Sequence, residues 1–165
     1  MTNTHKKFNE VHEEYVDRIF RFILLKVSSN DVAQDLCSDV FTRLLREIEY
    51  KTDIKNYQAF LYKIANNIVI DYYRKKSKTE TIALDNEQNI EDTSFDTARQ
   101  ATVNSDMNGV MRAMTNLKQD YQNVVIWHYI DELSVSEISE MTNKTQGAIR
   151  VMLHRGIKEL KRHLS

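Results

Sequence analysis

Apolar side chains recur at helical spacing along most of this chain. Over residues 8–27 the stripe is Phe8, Val11, Tyr15, Ile19, Phe22, Ile23 and Val27. The SSND segment at 28–31 interrupts it, and Asn30 or Asp31 is placed to cap the next helix. That helix, about 31–49, repeats Val32, Leu36, Val40, Leu44 and Ile48, with Ala33, Cys37, Phe41 and Leu45 widening the stripe. After the polar segment YKTDIKN at 50–56, a third helix runs from about Tyr57 to Lys76 through Phe60, Leu61, Ile64, Ala65, Ile68 and Tyr72. The pattern is lost over 78–105. It resumes at Val110, Met111, Met114 and Leu117, and again from about Asp120 with Tyr121, Val124, Val125, His128 and Tyr129. Two further segments follow: SVSEISEM at 134–141 and a longer helix from about Gln146 to His163.

Composition sharpens this picture. The 165 residues include no proline and three glycines, too few turn formers for a β-rich domain. The expected fold is all-α: two small helical domains, 1–77 and 108–165, joined by a flexible acidic linker over 78–107. The second would be a four-helix domain containing a helix-turn-helix. Charge is distributed unevenly. Residues 1–77 carry 13 Lys/Arg and 11 Asp/Glu, 78–107 carry 2 and 7, and 108–165 carry 8 and 6. Within 145–165 five cations face one Glu, so positive charge gathers near the C-terminal end.

The helix-turn-helix rests on local signals. Ser134 and Glu137 fit a capping box, S-x-x-E. Val135, Ile138 and Met141 give the short helix one apolar face, and Thr142-Asn143-Lys144 forms the turn, where Asn tolerates a left-handed backbone. Thr145 can cap the second helix. Its buried face would hold Ile149, Met152 or Leu153, Gly156, Leu160 and Leu164. Its outer face would hold Gln146, Arg150, Val151, His154, Arg155, Lys158, Lys161 and Arg162. A recognition helix needs this order: base-reading residues near its N-terminus and phosphate-binding cations farther along. Arg150, whose fork pairs with guanine, is the leading base contact.

Two other faces carry chemistry. Asp31, Asp35 and Asp39 stand at i, i+4 and i+8 on one side of the second helix, a solvated face or a dock for a basic partner. Lys63, Asn67, Asp71, Arg74 and Lys75 share a broad face of the third, beside Tyr72 and Tyr73. Cations track phosphates, and aromatics either stack on unpaired bases or pack at the core edge.

Taken in order, these pieces resemble the extracytoplasmic-function group of the sigma-70 family of bacterial RNA polymerase sigma factors. DVAQDLCSDVFTRLLREI is similar to the family's D-A-E-D-L-x-Q-E-x-F helix. FLYKIANNIVIDYYRKK is similar to W-L-x-R-I-A-x-N-x-x-x-D-x-x-R. YIDELSVSEISEMTNKTQGAIRVMLHRGIKEL is similar to Y-x-E-x-L-S-x-x-E-I-A followed by G-T-V-x-x-x-L-x-R-A. Three such motifs in this order, with these gaps, form a specific signature.

The resemblance implies a transcription initiation factor that binds core RNA polymerase, at the clamp and flap regions of its large subunits, and directs it to promoter DNA. Asp31, Asp35 and Asp39 would dock on the polymerase. Tyr50, Lys51, Asn56, Lys63, Asn67, Asp71, Arg74 and Lys75 would meet the −10 element, where the family melts DNA and holds an extruded base. Thr145, Gln146, Arg150, Val151, His154, Arg155 and Lys158 would meet the −35 element as duplex. Many family members also bind an anti-sigma factor. The chain departs from the pattern at Val151 and Met152, where small or basic residues are usual. It has Asn143 for the turn glycine and Leu117-Lys118 for Leu-Pro. The −35 contact is then weaker or more apolar, or an accessory DNA-targeting partner helps place the protein. The competing reading is a helix-turn-helix regulator that acts without replacing a sigma factor, which would have no use for the first domain.

Other chemistries find no support. The five histidines show no metal-ligand spacing, and there is no phosphate loop or nucleophile elbow. No cofactor, metal or enzymatic activity is expected. Cys37, the single cysteine, allows no intrachain disulfide and falls on the apolar side of its helix. With no signal core and no apolar run near the roughly 20 residues of a membrane span, a cytoplasmic chain without membrane insertion is expected.

Overall fold

The computed structural model describes the backbone of residues 3–85 and 105–164. The chain divides into two compact units, Met1–Val103 and Asn104–Ser165. The first holds α1 (Asn3–Val27), α2 (Asn30–Glu49) and α3 (Tyr57–Asp85). The second holds α4 (Ser105–Thr115), α5 (Gln119–Val125) continuing into a π-turn (Ile126–Ile130), α6 (Val135–Thr142) and α7 (Gln146–Leu164). No strand occurs among the described residues.

In the first unit each helix packs on the other two. The core is built from Val11, Ile19, Phe22 and Ile23 of α1, Ala33, Cys37, Val40, Phe41 and Leu44 of α2, and Leu61, Tyr62, Ile64, Ala65 and Val69 of α3. Full burial of each large aliphatic side chain stabilises the unit by about 1.5–3 kcal/mol. Phe22 meets Tyr62 edge-to-face at 5.3 Å between centroids, the arrangement favoured by the ring quadrupoles. Burial pushes the Cys37 thiol up to about 11, so the sulfur stays protonated and packs as a small apolar group.

The buried stripes are rotated relative to the sequence expectation. On α2 the inner edge is Ala33, Cys37 and Phe41, while Val32, Leu36 and Ile48 are half-buried. On α3 Tyr62 and Val69 are buried, whereas Phe60, Ile68 and Tyr72 sit at the rim. A helix flanked on two sides buries the arc between its neighbours, and that arc is not set by its own apolar periodicity.

Lys26 is 1% exposed, a charged residue inside the bundle. It follows Phe22 and Ile23 by four and three positions and so falls on the same face. Its Nζ donates to Asn66 Oδ1 at 2.9 Å and lies 4.8 Å from the Phe22 ring centroid. The Tyr73 hydroxyl donates to the Lys26 carbonyl. Together these tie α1 to α3, and they answer the desolvation that an isolated buried ammonium would suffer.

Helix ends also differ in detail. Ser28 takes a left-handed φ of 58° and closes α1. Ser29, rather than Asn30 or Asp31, caps α2: its Oγ accepts from the Val32 N–H at 3.3 Å. α3 continues to Asp85 instead of ending at about Lys76, because Ser77–Asp85 contains no glycine or proline to end it. Residues 105–107, expected in the linker, belong to α4. The remainder of the expected linker, 86–104, lies outside the described residues.

The helix-turn-helix forms as its local signals require. Ser134 Oγ accepts from the Glu137 N–H at 3.0 Å, and Glu137 Oε1 accepts from the Ser134 N–H at 3.1 Å, a reciprocal capping box. Asn143 adopts φ 58°, ψ 25°, the left-handed residue that ends α6. Thr145 Oγ1 accepts from the Ala148 N–H at 3.1 Å and starts α7. On α7, Ile149, Leu153 and Gly156 are buried; Met152 and Leu160 are half-buried, and Leu164, expected inside, is 48% exposed. α5 passes so close to α7 that a Cβ on Gly156 would lie 2.8 Å from Val125 Cγ2 and 3.4 Å from Tyr121 Cβ.

Two outcomes follow for stability. Gly156→Ala should destabilise the chain by about 1–2 kcal/mol, since overpacking against the buried Val125 outweighs alanine's better helix propensity. A melting temperature at or above that of the wild type would show that α5 and α7 separate freely. Ser134→Ala should cost about 1 kcal/mol through loss of the cap, read as faster amide exchange in α6; unchanged exchange would mean the capping box adds nothing.

Candidate nucleic-acid and polymerase interface

Three faces remain outside the cores. On α2, Asp31, Asp35 and Asp39 are all exposed. Their spacing leaves them mutually repulsive by a few tenths of a kcal/mol per pair, which a cationic partner would relieve. Beside them α1 and α2 frame a groove of about 390 Å3, lined among others by His12, Asp17, Gln34, Ser38 and Phe41. His12 stands edge-on to Phe41 at 4.7 Å between ring centroids. This groove has no sequence signal, because it exists only where two helices lie side by side.

The second face runs along α3 and the segment before it. Lys63, Asn67, Asp71, Arg74 and Lys75 are exposed, and helical spacing brings them onto one broad side. Arg74 lies 3.6 Å from Asp71 in an exposed pair, weak enough for the guanidinium to be drawn to a phosphate. Tyr50 is 76% exposed directly after α2, and Lys51 follows in a left-handed conformation at φ 56°. An exposed ring held next to a turn is a surface on which an unpaired base can stack. Asn56 serves the fold as well, since its Oδ1 accepts from the Ala59 N–H at 3.0 Å and caps α3. Tyr72 and Tyr73 are half-buried, with rings 5.2 Å apart. Tyr73 is tied to Lys26, and burial, then the neighbouring Tyr72, raises its hydroxyl pKa. Tyr73 thus ties α3 to α1, and of these three rings Tyr50 is the exposed one.

The third face is the outer side of α7. Thr145, Gln146, Arg150, Val151, His154, Arg155 and Lys158 are all exposed. Arg150 Nη2 donates to Gln146 Oε1 at 3.3 Å, which holds the guanidinium along the first turns of the helix. Thr145 divides its role, since its hydroxyl also caps α7. Among the described residues no cluster of side chains fit to hold a metal ion occurs, and no helix is long and apolar enough to cross a membrane.

Comparison with known proteins accords with this division. Residues 11–79 match the family model for sigma-70 region 2, and residues 107–160 match that for sigma-70 region 4. The chain is 26% identical over 161 residues to the ECF RNA polymerase sigma factor BldN of Streptomyces coelicolor, covering 95% of this chain and 60% of that protein. It is 24% identical to the RNA polymerase sigma factor YlaC of Bacillus subtilis, covering 94% of this chain and 91% of the relative. It is 27% identical to the ECF sigma factor SigW of the same organism, covering 95% and 88%. In fold it is similar to the sigma factor RpoE of Bartonella quintana, solved in complex with the anti-sigma factor NepR. There the TM-score is 0.67 at 17% identity, over 96% of this chain and 97% of that one. With both family models matched in order over most of its length, the chain belongs to the sigma-70 family, and the relatives it is similar to include members of that family's extracytoplasmic-function group.

Proposed function

We propose that this chain joins core RNA polymerase through the acidic face of α2 and directs the enzyme to promoters through α3 and α7. One observation carries the reading: a single chain exposes Asp31, Asp35 and Asp39 on its first unit and a basic recognition helix on its second. A regulator acting without polymerase replacement would need only the second. Partner and DNA make opposite electrostatic demands, and the two charge signs are kept on different helices. This lets a basic polymerase surface and the polyanionic promoter be engaged together.

On the −10 element, Lys63, Arg74 and Lys75 would meet phosphates, with Asn67 and Asp71 able to read the edge of an extruded base. Extrusion costs a few kcal/mol of stacking, and stacking on the exposed Tyr50 ring would offset part of it. On the −35 element, Arg150 would read a guanine, with Arg155 and Lys158 on phosphates and Gln146 and His154 beside them. The polymerase partner sets the chain's working place in the cytoplasm. An anti-sigma factor is a further partner class, since a protein of this fold has been solved with one bound; any such inhibitor would compete for the same exposed faces.

Transcription in vitro with core polymerase alone checks the reading. Adding the chain should give initiation at discrete start sites on a promoter library. Failure to co-elute with core polymerase, together with no specific initiation, would refute it. Asp35→Lys should weaken polymerase association at least tenfold in the same elution assay, while DNA binding through α7 stays intact. Arg150→Ala should cost about 1–3 kcal/mol at a single −35 position; a uniform loss over all sequences would make Arg150 a phosphate contact instead.

A further inference from the structure

The recognition helix has an apolar crest. Successive helical residues turn by about 100°, so Val151 lies about 160° round the axis from both Ile149 and Leu153. Those two are buried, and Val151 therefore points directly away from the domain, at 47% exposure. One turn earlier Gly147 is exposed, and a Cβ there would meet nothing nearer than Thr145 Oγ1 at 4.0 Å. The domain's own packing does not require that glycine. Together they leave the crest low and apolar, while Arg150, His154, Arg155 and Lys158 surround it with longer polar side chains. A surface of that profile lets the helix backbone approach closely at Val151 and brings cations to either side.

Arg155 and Lys158 suit DNA phosphates, but Val151 has nothing to offer a phosphate. Among the groups a base pair shows in the major groove, the apolar one is the thymine C5 methyl. We propose that Val151 packs on a thymine methyl and makes one −35 position selective for T·A. This rests on α7 being the −35 reader, and it makes Val151 a specificity residue beside the guanine contact of Arg150. The β-branched side chain suits this role, since its χ1 is nearly fixed in a helix and little freedom is lost on contact.

The test uses core polymerase loaded with the full chain and duplex promoters randomised across the −35 element. Selection with wild type and with Val151→Ser should identify one position whose T·A preference disappears in the variant. At that position, replacing thymine by deoxyuridine removes the methyl and leaves every hydrogen-bonding group. Wild type should then bind about fourfold more weakly, the effect of one buried methyl. Val151→Ser should be indifferent to the replacement, and Val151→Thr, which keeps a methyl, should retain most of the discrimination. Melting curves check that both variants fold. A wild type indifferent to deoxyuridine at every −35 position would overturn the proposal. So would a Val151→Ser variant that keeps the full penalty, or one that loses polymerase association with its DNA preferences unchanged. If Arg150→Ala alters the −35 preferences and Val151→Ser does not, only the methyl contact fails. If neither substitution alters them, the underlying assignment of α7 fails as well.

Discussion

Each helix of a small bundle has one arc to bury, and whatever stands opposite that arc is left to the solvent. Everything functional here depends on that rule. On α7, Ile149, Leu153 and Gly156 turn inward, so Arg150, Val151, His154, Arg155 and Lys158 must turn outward. On α2, Ala33, Cys37, Val40, Phe41 and Leu44 form the inner arc, and the three aspartates have no other direction to face. The close approach at Gly156 extends the rule. By letting α5 press against α7, the missing Cβ fixes how the recognition helix is held within its unit.

Charge is sorted by the same geometry. An acidic face on α2 and a cationic face on α7 belong to separately packed units, so neither neutralises the other within a helix. The acidic face repels itself mildly in isolation and becomes favourable only against a cationic partner. A cationic face behaves conversely and would gain from counterion release against a polyanion such as DNA. A chain whose formal net charge is −1 thereby presents surfaces of both signs.

Rigidity and adaptability are also divided by position. The buried Lys26, bonded to Asn66 and joined through its carbonyl to Tyr73, fastens α1 to α3 behind the face assigned to the −10 element. Asn56 on that face is engaged in capping α3, while Arg74 is held only by an exposed pair with Asp71. A firmly held backbone with loosely engaged side chains keeps the groups in position and leaves their bonds available for nucleic acid.

By itself the sequence determined the helical segments found among the described residues, the capped helix-turn-helix and the outward faces of α2 and α7. These follow from local rules: periodicity, the Ser134–Glu137 box, Asn143 at a left-handed position and charge spacing. The family signature was legible for the same reason, since it is written in short contiguous motifs. The tertiary structure alone decided where the edges of the buried arcs of α2 and α3 fall, because that depends on where the neighbouring helices stand. It also turned Lys26 inward and made Tyr73 an anchor, since their partners are 40 and 47 residues away in the chain. Val151 was readable as exposed from its register. That it stands opposite the buried Ile149 and Leu153, with nothing nearer than 4.0 Å to a Cβ on Gly147 one turn earlier, was decided by which side of α7 the unit buries.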